Sequence, residues 1–336
     1  MKTLKNSVLA ILAALLLAAC GTASSPKASK GVEYARWFSL EDGKVLVSTP
    51  AGRVDTLQGP FHALVCMSSS YVGFLDAIDA DSTIVGVSGL AFLTERPPLA
   101  VEVGYDVALD YEAIVKARPD LFLTYNIGAV EPPYLAKLRE LGIRTVVLSE
   151  HVESHPLARA EYVKLFGALT GREAVADSLF NAVRDCYLAS VQPEVSKNVL
   201  INIPYADQWF IPGGDNYMTR LIRDAGGALL GAVPGKQESS IISLETAYEY
   251  AQQADVWLHP GWCSTKEQLR GIHPLFSEFP VLDKAVWNNT LQRTPGGGNA
   301  YWEKGPVRPD LMLEDLVKIM SGAVGEGPLH YYLPLE

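Results

Sequence analysis

A strand-free helical segment separates two stretches of the chain in which strand and helix patterns alternate. From Pro156 to about Ser190, apolar residues recur at helical spacing. Residues 60–150 alternate apolar strands with helices, and the alternation resumes after about residue 193. This order predicts an α/β protein of two Rossmann-like βα lobes joined by a single long linker helix. An unbroken helix of that size would span on the order of 45 Å, although Gly167 and Gly171 suggest a break or kink.

The N-terminus carries the pattern of a secretory signal. Lys2 and Lys5 precede an apolar run that ends in "LAAC", and this run is shorter than the ~20 residues of a membrane-spanning helix. A cysteine directly after Leu-Ala-Ala resembles the bacterial lipobox, which implies cleavage before Cys20 and a lipid on its thiol. The alternative is a plain signal peptide with a chance cysteine. Residues 1–19 are thus predicted to be a lipoprotein signal peptide, and residues 20–31 a flexible lipid tether.

The remaining chain divides into four predicted segments. These are an N-terminal hairpin (32–60) turning at Asp42-Gly43, an N-terminal α/β lobe (61–154), the linker helix (155–192) and a C-terminal α/β lobe (193–336). Loss of the two lysines changes the formal charge from −10 to −12. An acidic chain without a basic tract argues against nucleic-acid binding.

One local unit occurs once in each predicted lobe. "ALDYEAIVKARPDLFL" (108–123) and "SLETAYEYAQQADVWL" (243–258) both place a helix-capping residue two positions before a glutamate. A short helix, an aspartate and an apolar strand follow in each. Glu112 and Glu245 therefore occupy matching places, although the spacing to the aspartate differs between the two units. The favourable helix dipole alone could explain both glutamates.

Aromatic residues recur at predicted strand ends and in loops, where α/β lobes bind ligands. Rings suit a bulky, partly apolar ligand, but about half of them are expected to be core or plain surface. The candidates are Tyr71, Tyr105, Tyr125, Tyr205, Trp209, Trp262, Tyr301 and Trp302. The Gly- and Pro-rich stretch 293–310 is predicted to be a loop that shapes the cleft. Arg293 or Arg308 could meet an anionic ligand there, and Arg308 could equally pair with Asp310.

Catalytic, cofactor and metal motifs give weaker signals. No nucleophile and base occur at a known spacing, and we predict neither a catalytic residue nor a cofactor. His62, His151 and His259 flank predicted strands but form no metal-binding motif, so direct zinc or manganese binding is an alternative only. Cys66 and Cys186 are predicted to be buried free thiols, and Cys263 to lie in a loop.

Five segments resemble one family in order along the chain. They are residues 63–89, 103–123, 138–148, 209–227 and 299–319, which include "ALVCMSSSYVGFLDAIDADSTIVGVSG" and "WFIPGGDNYMTRLIRDAGG". The chain resembles substrate-binding proteins of ABC importers for ferric siderophores, haem and cobalamin, and is most similar to lipoproteins of Bacteroidetes. The resemblance implies a class III periplasmic binding protein, a monomer with its ligand between the lobes. It also implies that Glu112 and Glu245 dock on arginines of the permease dimer.

The resemblance implies transport rather than catalysis. The expected protein is periplasmic, anchored to a bacterial membrane through its lipid, and captures a metal chelate, with a ferric siderophore first and cobalamin or haem as alternatives. A chelatase-like or other enzyme on the same fold is the alternative of another class. The predicted ligand-binding residues are Ser69, Tyr71, Tyr105, Tyr125, Trp209, Trp262, Arg293 and Trp302.

Overall fold

A computed structural model of the chain describes residues 31–128, 130–206 and 208–336. The predicted signal peptide, Cys20 and nearly all of the predicted tether lie outside these residues. Within the described part, no helix has the length and apolar character needed to cross a membrane.

A small antiparallel sheet precedes the first lobe. Its strands are β1 (Phe38–Glu41), β2 (Lys44–Ser48) and β3 (Val54–Leu57). Asp42 and Gly43 both have positive φ, 50° and 71°, as a tight turn between two strands requires. The predicted hairpin is therefore present. The third strand was not predicted, because "VDTL" is too short to show a clear alternation.

The N-terminal lobe is a five-stranded parallel sheet in the order β10-β9-β4-β5-β6. Helices and a small antiparallel ribbon, β7–β8, complete the lobe. The strands are β4 (Leu64–Cys66), β5 (Ile84–Val87), β6 (Val101–Glu102), β7 (Gly104–Tyr105), β8 (Ala108–Leu109), β9 (Leu121–Thr124) and β10 (Thr145–Val147), and the helices are α1 (Ser69–Asp76), α2 (Tyr111–Ala117) and α3 (Pro133–Glu140).

The C-terminal lobe has a second five-stranded sheet in the order β13-β11-β15-β16-β17, parallel except for β17. A ribbon of β12 and β14 lies beside it. The strands are β11 (Lys197–Ile201), β12 (Trp209–Ile211), β13 (Gly227–Leu229), β14 (Ser240–Ile242), β15 (Val256–Leu258), β16 (Ala285–Asn288) and β17 (Leu333–Pro334). The two-lobe α/β class predicted from the sequence is confirmed.

The linker is helical but is not one continuous helix. It consists of α4 (Pro156–Ala160), α5 (Tyr162–Thr170) and α6 (Glu173–Ser190). Gly171 ends α5 in the left-handed conformation at φ 72° and turns the chain, so α6 packs back on α5. The expected single rod over 155–192 is wrong for this reason. The longest piece, α6, spans only about 27 Å.

The remaining helices of the C-terminal lobe cover its sheet and meet the linker. They are α7 (Tyr217–Asp224), α8 (Leu244–Gln253), α9 (Lys266–Ile272), α10 (Ala300–Glu303) and α11 (Pro309–Ser321). Helix α6 packs on α5 on one side and on α11 on the other. It therefore connects the two lobes by direct packing as well as through the chain.

The cysteines only partly follow the prediction. Cys66 is fully buried in β4, as expected. Cys186 is exposed on α6, because it lies on the solvent side of that amphipathic helix. Cys263, expected in a loop, is in a loop but fully buried, and burial raises the pKa of its thiol.

A buried ion pair lies where the linker meets both lobes. Arg159 Nε of α4 is 2.8 Å from Glu150 Oε2, and both side chains are almost wholly buried. Glu150 also accepts a hydrogen bond from Ser70 Oγ at 3.0 Å. The Arg159 guanidinium lies over the Tyr217 ring of α7, 4.3 Å from its centroid. The pair thus joins α1, the linker and the C-terminal lobe.

A second buried carboxylate fixes the start of the described chain to the linker. Glu161 is fully buried between α4 and α5 and accepts hydrogen bonds from three consecutive backbone N–H groups. These belong to Glu33, Tyr34 and Ala35, at 2.7, 2.7 and 2.9 Å. The bonds hold the segment ahead of β1 against the linker.

Replacing this carboxylate tests its contribution to stability. We expect Glu161→Gln to lower the free energy of unfolding by about 1.5–3 kcal/mol, because an amide removes the charge and turns a donor toward the N–H groups. Urea denaturation measures the change. The exposed Glu140→Gln should stay within about 0.5 kcal/mol of the parent. Equal stability of the two variants would contradict this role of Glu161.

Candidate ligand-binding site

A pocket of about 390 Å³ opens between the two lobes. Ser69 and Phe92 line it from the N-terminal lobe, and the other lining residues come from the C-terminal lobe. These are Gly261, Trp262, Asn289, Thr290, Arg293, Gly297, Gly298, Asn299, Trp302 and Glu303. A concave site with a few polar groups among rings is the usual form of a small-molecule site.

The lining residues follow the carboxyl ends of parallel strands. Ser69 begins α1 just after β4, and Phe92 lies in a 3-10 turn (90–92) after β5. In the C-terminal lobe, Trp262 comes after β15 and Asn289 directly after β16. The carboxyl ends of the strands in both sheets therefore face the same crevice, as expected of α/β lobes.

The Gly-rich loop reaches across from the C-terminal lobe to the N-terminal lobe. A Cβ atom on Gly296 or Gly298 would overlap the backbone carbonyl oxygens of Ala91 and Phe92. Only glycine allows this close backbone approach. The stretch predicted to shape the cleft does line it, from Arg293 to Glu303, although residues 300–303 form the short helix α10 and not a loop.

Glu303 holds the lobes together at one end of the pocket. Its side chain is buried and accepts hydrogen bonds from Thr94, one from the backbone N–H at 2.8 Å and one from the hydroxyl. Burial raises the pKa of Glu303, and the hydrogen bonds from Thr94 oppose that shift. Elsewhere between the lobes, Gln237 Nε2 donates to the backbone oxygen of Val152. These bonds, together with the close approach of the Gly-rich loop to Ala91 and Phe92, hold the two lobes in contact.

Two hydrogen-bond donors at the pocket have no partner among the described residues. Asn289 is only 5% exposed, yet its Nδ2 is buried without an acceptor. Its neighbour Asn288 differs, since Nδ2 of that residue donates to the oxygens of Gly261 and Cys263. The exposed Arg293 guanidinium has no ion pair within the described part of the chain.

Four of the eight predicted ligand-binding residues lie together in this pocket: Ser69, Trp262, Arg293 and Trp302. The two tryptophan rings are 59% and 47% exposed, which leaves large faces free. The alternative interpretation of Arg308 is confirmed, because its guanidinium binds Asp310 through Nε at 2.9 Å and Nη2 at 2.8 Å.

Tyr71 and Trp209 are in the core and not in the cleft. Tyr71 is a fully buried residue of α1, and its hydroxyl donates to the backbone oxygen of Thr124 at 3.2 Å. Trp209 Nε1 donates to the Ile201 oxygen at 2.8 Å, and its ring stacks on Trp257 with centroids 5.8 Å apart. In both cases the polar end of the ring is bound to backbone, so the side chain turns inward.

Tyr105 and Tyr125 do not line the pocket either. Tyr105 is half exposed on the β7–β8 ribbon. Tyr125 packs edge-on against His151, with ring centroids 6.1 Å apart, and burial raises the pKa of its hydroxyl. Tyr105 lies within β7 and Tyr125 directly follows β9, and neither is among the residues that line this pocket.

Several pocket residues were missed by sequence reasoning: Phe92, Asn289, Thr290, Asn299 and Glu303. A signal existed for Asn289, since "AVWNN" predicts a strand that ends in two asparagines. Asn289 was not predicted, because the prediction of ligand-binding groups at strand ends rested on aromatic rings and not on amides. Phe92 carried no such signal because it follows β5 in an irregular turn.

The histidines do not assemble into a metal site. Among residues 31–128, 130–206 and 208–336, no three His, Cys, Asp or Glu side chains are grouped closely enough to hold a metal ion. His259 is buried below the pocket, with Nε2 2.7 Å from the Tyr332 hydroxyl. Burial lowers the pKa of His259 to about 3. This histidine is a neutral core residue.

The two repeated units have matching geometry. Glu112 and Glu245 are exposed in the first turns of α2 and α8, which are capped by Asp110 and Ser243. The described residues give neither glutamate an ion pair. Glu245 also bonds to its own backbone N–H and to Ser243, which lowers its pKa.

The aspartates of the repeated units also match. Asp120 Oδ2 accepts from the backbone N–H groups of His62 and Ala63 ahead of β4, and Asp255 Oδ2 accepts from Asn198 N in β11. Each aspartate therefore ties the start of its own strand to the neighbouring strand. The unequal spacing arises because α2 has seven residues and α8 has ten.

Two α/β lobes, a helical linker and a pocket between the lobes define a class of binding protein. The sequence profile of the periplasmic binding protein family matches residues 64–282, and the chain belongs to this family. A lipoprotein of the archaeon Methanocaldococcus jannaschii is 27% identical over 292 residues, 82% of this chain and 69% of its own length. A second lipoprotein of that archaeon is 27% identical over 73% of this chain, and the match spans 64% of its length.

A third relative is the ABC transporter substrate-binding lipoprotein YvrC of Bacillus subtilis. It is 19% identical over 63% of this chain and 67% of its own length. These relatives come from an archaeon and from Bacillus, so the narrower likeness to Bacteroidetes lipoproteins stays a prediction.

Solved structures share the fold at low identity. A periplasmic heme-binding protein of Pseudomonas aeruginosa superimposes with a TM-score of 0.56 at 19% identity, covering 82% of this chain and 95% of that protein. The vitamin B12-binding protein BtuF of Vibrio cholerae gives 0.57 at 16%, covering 79% and 98%. An Fe³⁺-hydroxamate transport protein of Saccharomonospora viridis gives 0.57 at 17%, covering 82% and 98%.

The buried, neutral state of His259 predicts a pH dependence of stability. The unfolded chain takes up a proton below its ordinary pKa near 6.5, whereas folded His259 resists protonation until about pH 3. Stability is therefore lost as the pH falls from 6.5 toward 3, by about 2–3 kcal/mol at pH 4.5 from this group.

His259→Asn should remove this contribution between pH 7 and 4.5 in urea denaturation, because asparagine tolerates the φ of 56° at this position. The smaller dependence that remains comes in part from His151 and His155, because burial lowers the pKa of both. His62→Asn, at an exposed histidine, is the matched control and should keep the parent profile. A parent-like profile for His259→Asn would show that His259 does not contribute to this pH dependence.

Proposed function

We propose that this protein captures an iron complex outside the cytoplasmic membrane and delivers it to an ABC importer. The observation that carries this proposal is the pocket lined by both lobes, at the carboxyl ends of both sheets. Membership of a family of binding proteins supports it. So does the name of the Bacillus relative, an ABC transporter substrate-binding lipoprotein.

A ferric siderophore is the proposed ligand, with haem and cobalamin as the alternatives. The ring faces of Trp262 and Trp302 and the cation of Arg293 suit a bulky chelate that is partly apolar and partly charged. The structural neighbours include a heme-binding protein, a vitamin B12-binding protein and an Fe³⁺-hydroxamate transport protein. They support this range of ligands and do not favour one of them.

Lipid anchoring through Cys20 is part of the proposal. The "LAAC" sequence motivates it, and the lipoprotein names of the relatives support it. Acylation of one cysteine after a polar tether would hold the protein at a membrane surface while leaving both lobes in water.

Glu112 and Glu245 are the proposed contacts with the two permease subunits. Each is exposed at a helix start, where a carboxylate is favoured by the dipole, and neither forms an ion pair among the described residues. Charge-assisted pairs with arginine would orient one lobe on each subunit. The bonds that Glu245 makes at its own helix end favour the simpler capping role for that residue.

Ligand titration of the purified protein tests the binding function. We expect saturable quenching of tryptophan fluorescence by at least one of an iron-loaded siderophore, haemin or cyanocobalamin, because Trp262 and Trp302 line the pocket with exposed rings. Trp302→Phe should reduce the quenching. Trp37→Phe, at a ring that does not line the pocket, should not. No binding of any of these compounds would refute the proposed function.

Charge reversal tests the docking surface. The double variant Glu112→Arg/Glu245→Arg should bind ligand like the parent and lose at least about tenfold in uptake, because two attractive contacts become repulsive. Glu140→Arg/Glu249→Arg makes the same charge change at exposed positions, one in each lobe, and should leave uptake intact. Parent-like uptake by the first variant would exclude these glutamates as docking contacts.

A further inference from the structure

One wall of the pocket belongs to the N-terminal lobe by sequence but is attached to the C-terminal lobe. Residues 90–95, which we call the strap, follow β5 and include Phe92, which lines the pocket. The carboxylate of Glu102 in β6 accepts hydrogen bonds from the backbone N–H groups of Gly89 and Leu90, at 3.0 and 2.7 Å. These bonds fix the start of the strap to its own lobe.

The end of the strap bonds to two consecutive residues of the C-terminal lobe. Glu303 accepts two hydrogen bonds from Thr94, one from the backbone N–H at 2.8 Å and one from the hydroxyl. The carboxylate of Glu95 lies 3.6 Å from Lys304 Nζ. The strap therefore crosses the boundary between the lobes, with one end held on each side.

The attachments to the C-terminal lobe differ in strength and direction. The ion pair of Lys304 involves the exposed Glu95, and exposed ion pairs contribute little. Contacts with the loop 296–298 and burial of Leu93 hold the strap by packing, which has no preferred direction. Glu303 is buried and binds through charge-assisted hydrogen bonds, which are stronger and directional. Its carboxylate is thus the group that fixes the position of the strap.

The backbone of Glu303 is itself fixed against the N-terminal lobe. A Cβ atom on Gly73 of α1 would overlap the backbone oxygen of Glu303, so the two backbones are in direct contact. Ser69 at the start of the same helix lines the pocket. Glu303 consequently joins the two walls that the N-terminal lobe supplies, the one with Ser69 and the one with Phe92.

We propose that Glu303 is a positioning residue of the ligand pocket, which holds Thr94 and thereby keeps Phe92 in place as a wall before any ligand enters. The inference rests on the proposed function and adds to it the residue that prepares the site. A wall that is ordered in advance lowers the entropic cost that binding must offset. Without these bonds the ligand would have to order the strap, and the complex would dissociate faster.

Hydrogen exchange of the ligand-free protein tests the attachment itself. Glu303→Ala should raise the amide exchange rate of the strap by at least about tenfold, because Thr94 N–H loses its acceptor and the segment opens locally. Glu161→Gln is the matched control, since it also replaces a buried carboxylate that binds backbone N–H groups but does not line the pocket. It should leave strap exchange at the parent rate.

Variants of Thr94 separate positioning from direct contact, because Thr94 does not line the pocket whereas Glu303 does. Thr94→Val keeps the shape of the side chain but removes the hydroxyl donor, and Thr94→Ser keeps the hydroxyl. We expect Thr94→Val to raise strap exchange, by less than Glu303→Ala does because the backbone N–H can still bond. Thr94→Ser should restore the parent rate.

Ligand dissociation tests the link to binding. The probes are iron-loaded ferrioxamine B, a ferric tris-catecholate, haemin and cyanocobalamin, measured by stopped-flow tryptophan fluorescence. For a probe that binds the parent, Glu303→Ala should raise the dissociation rate constant by about fivefold or more, and Thr94→Val by about threefold. Thr94→Ser and Glu161→Gln should release the probe at the parent rate.

The outcomes distinguish this inference from the proposed function. Parent-like strap exchange in Glu303→Ala overturns the inference, and so does unchanged dissociation of a bound probe from both Glu303→Ala and Thr94→Val; in either case the proposed function stands. If no probe binds the parent, the proposed function fails and the inference fails with it. Should Glu303→Ala not fold, Thr94→Val against Thr94→Ser makes the same comparison in exchange and in dissociation.

Discussion

The buried ion pair of Glu150 and Arg159 is the interaction on which the arrangement of the two lobes depends. Removing two charges from water is costly, and the cost is offset only while the pair and its hydrogen bonds keep their geometry. The partners of this pair lie in different parts of the fold, with Ser70 in α1 and Tyr217 in α7. Any large change in the angle between lobes would break these contacts. Ser70 follows Ser69 directly, so the same constraint fixes one wall of the pocket.

At the other end of the cleft, close contacts between backbones also hold the two lobes together. They occur at glycines of α1 and of the loop 296–298. Gly73 lets α1 approach the backbone of Glu303, and Gly298 lets the loop reach Phe92. Contacts between backbones are stiff, since no side chain can rotate to relieve them. The pocket is consequently formed in advance of binding, which lowers the ordering cost that a ligand must offset.

The sequence predicts well what depends on periodicity and poorly what depends on the direction of single side chains. The alternation of strand and helix patterns in the sequence correctly predicted both sheets. The capping residues correctly predicted two helix starts, with Glu112 and Glu245 on exposed first turns. Trp209 lies in a predicted strand and Trp262 just after one, and both were predicted to bind the ligand. Only the β12–β14 pairing turns Trp209 inward, and that pairing joins residues some thirty positions apart. Asn289 was not predicted to line the pocket, because the sequence does not show which side chains lack a hydrogen-bond partner in the fold.

The topology also relates the pocket to the proposed docking surface. In a parallel α/β lobe, the carboxyl ends of the strands and the N-termini of the following helices share one edge of the sheet. Pocket residues such as Asn289 come from the first set, and Glu112 and Glu245 from the second. A partner that meets both glutamates must therefore face the mouth of the pocket. The pocket and the proposed docking contacts would thus use different residues on the same side of the molecule.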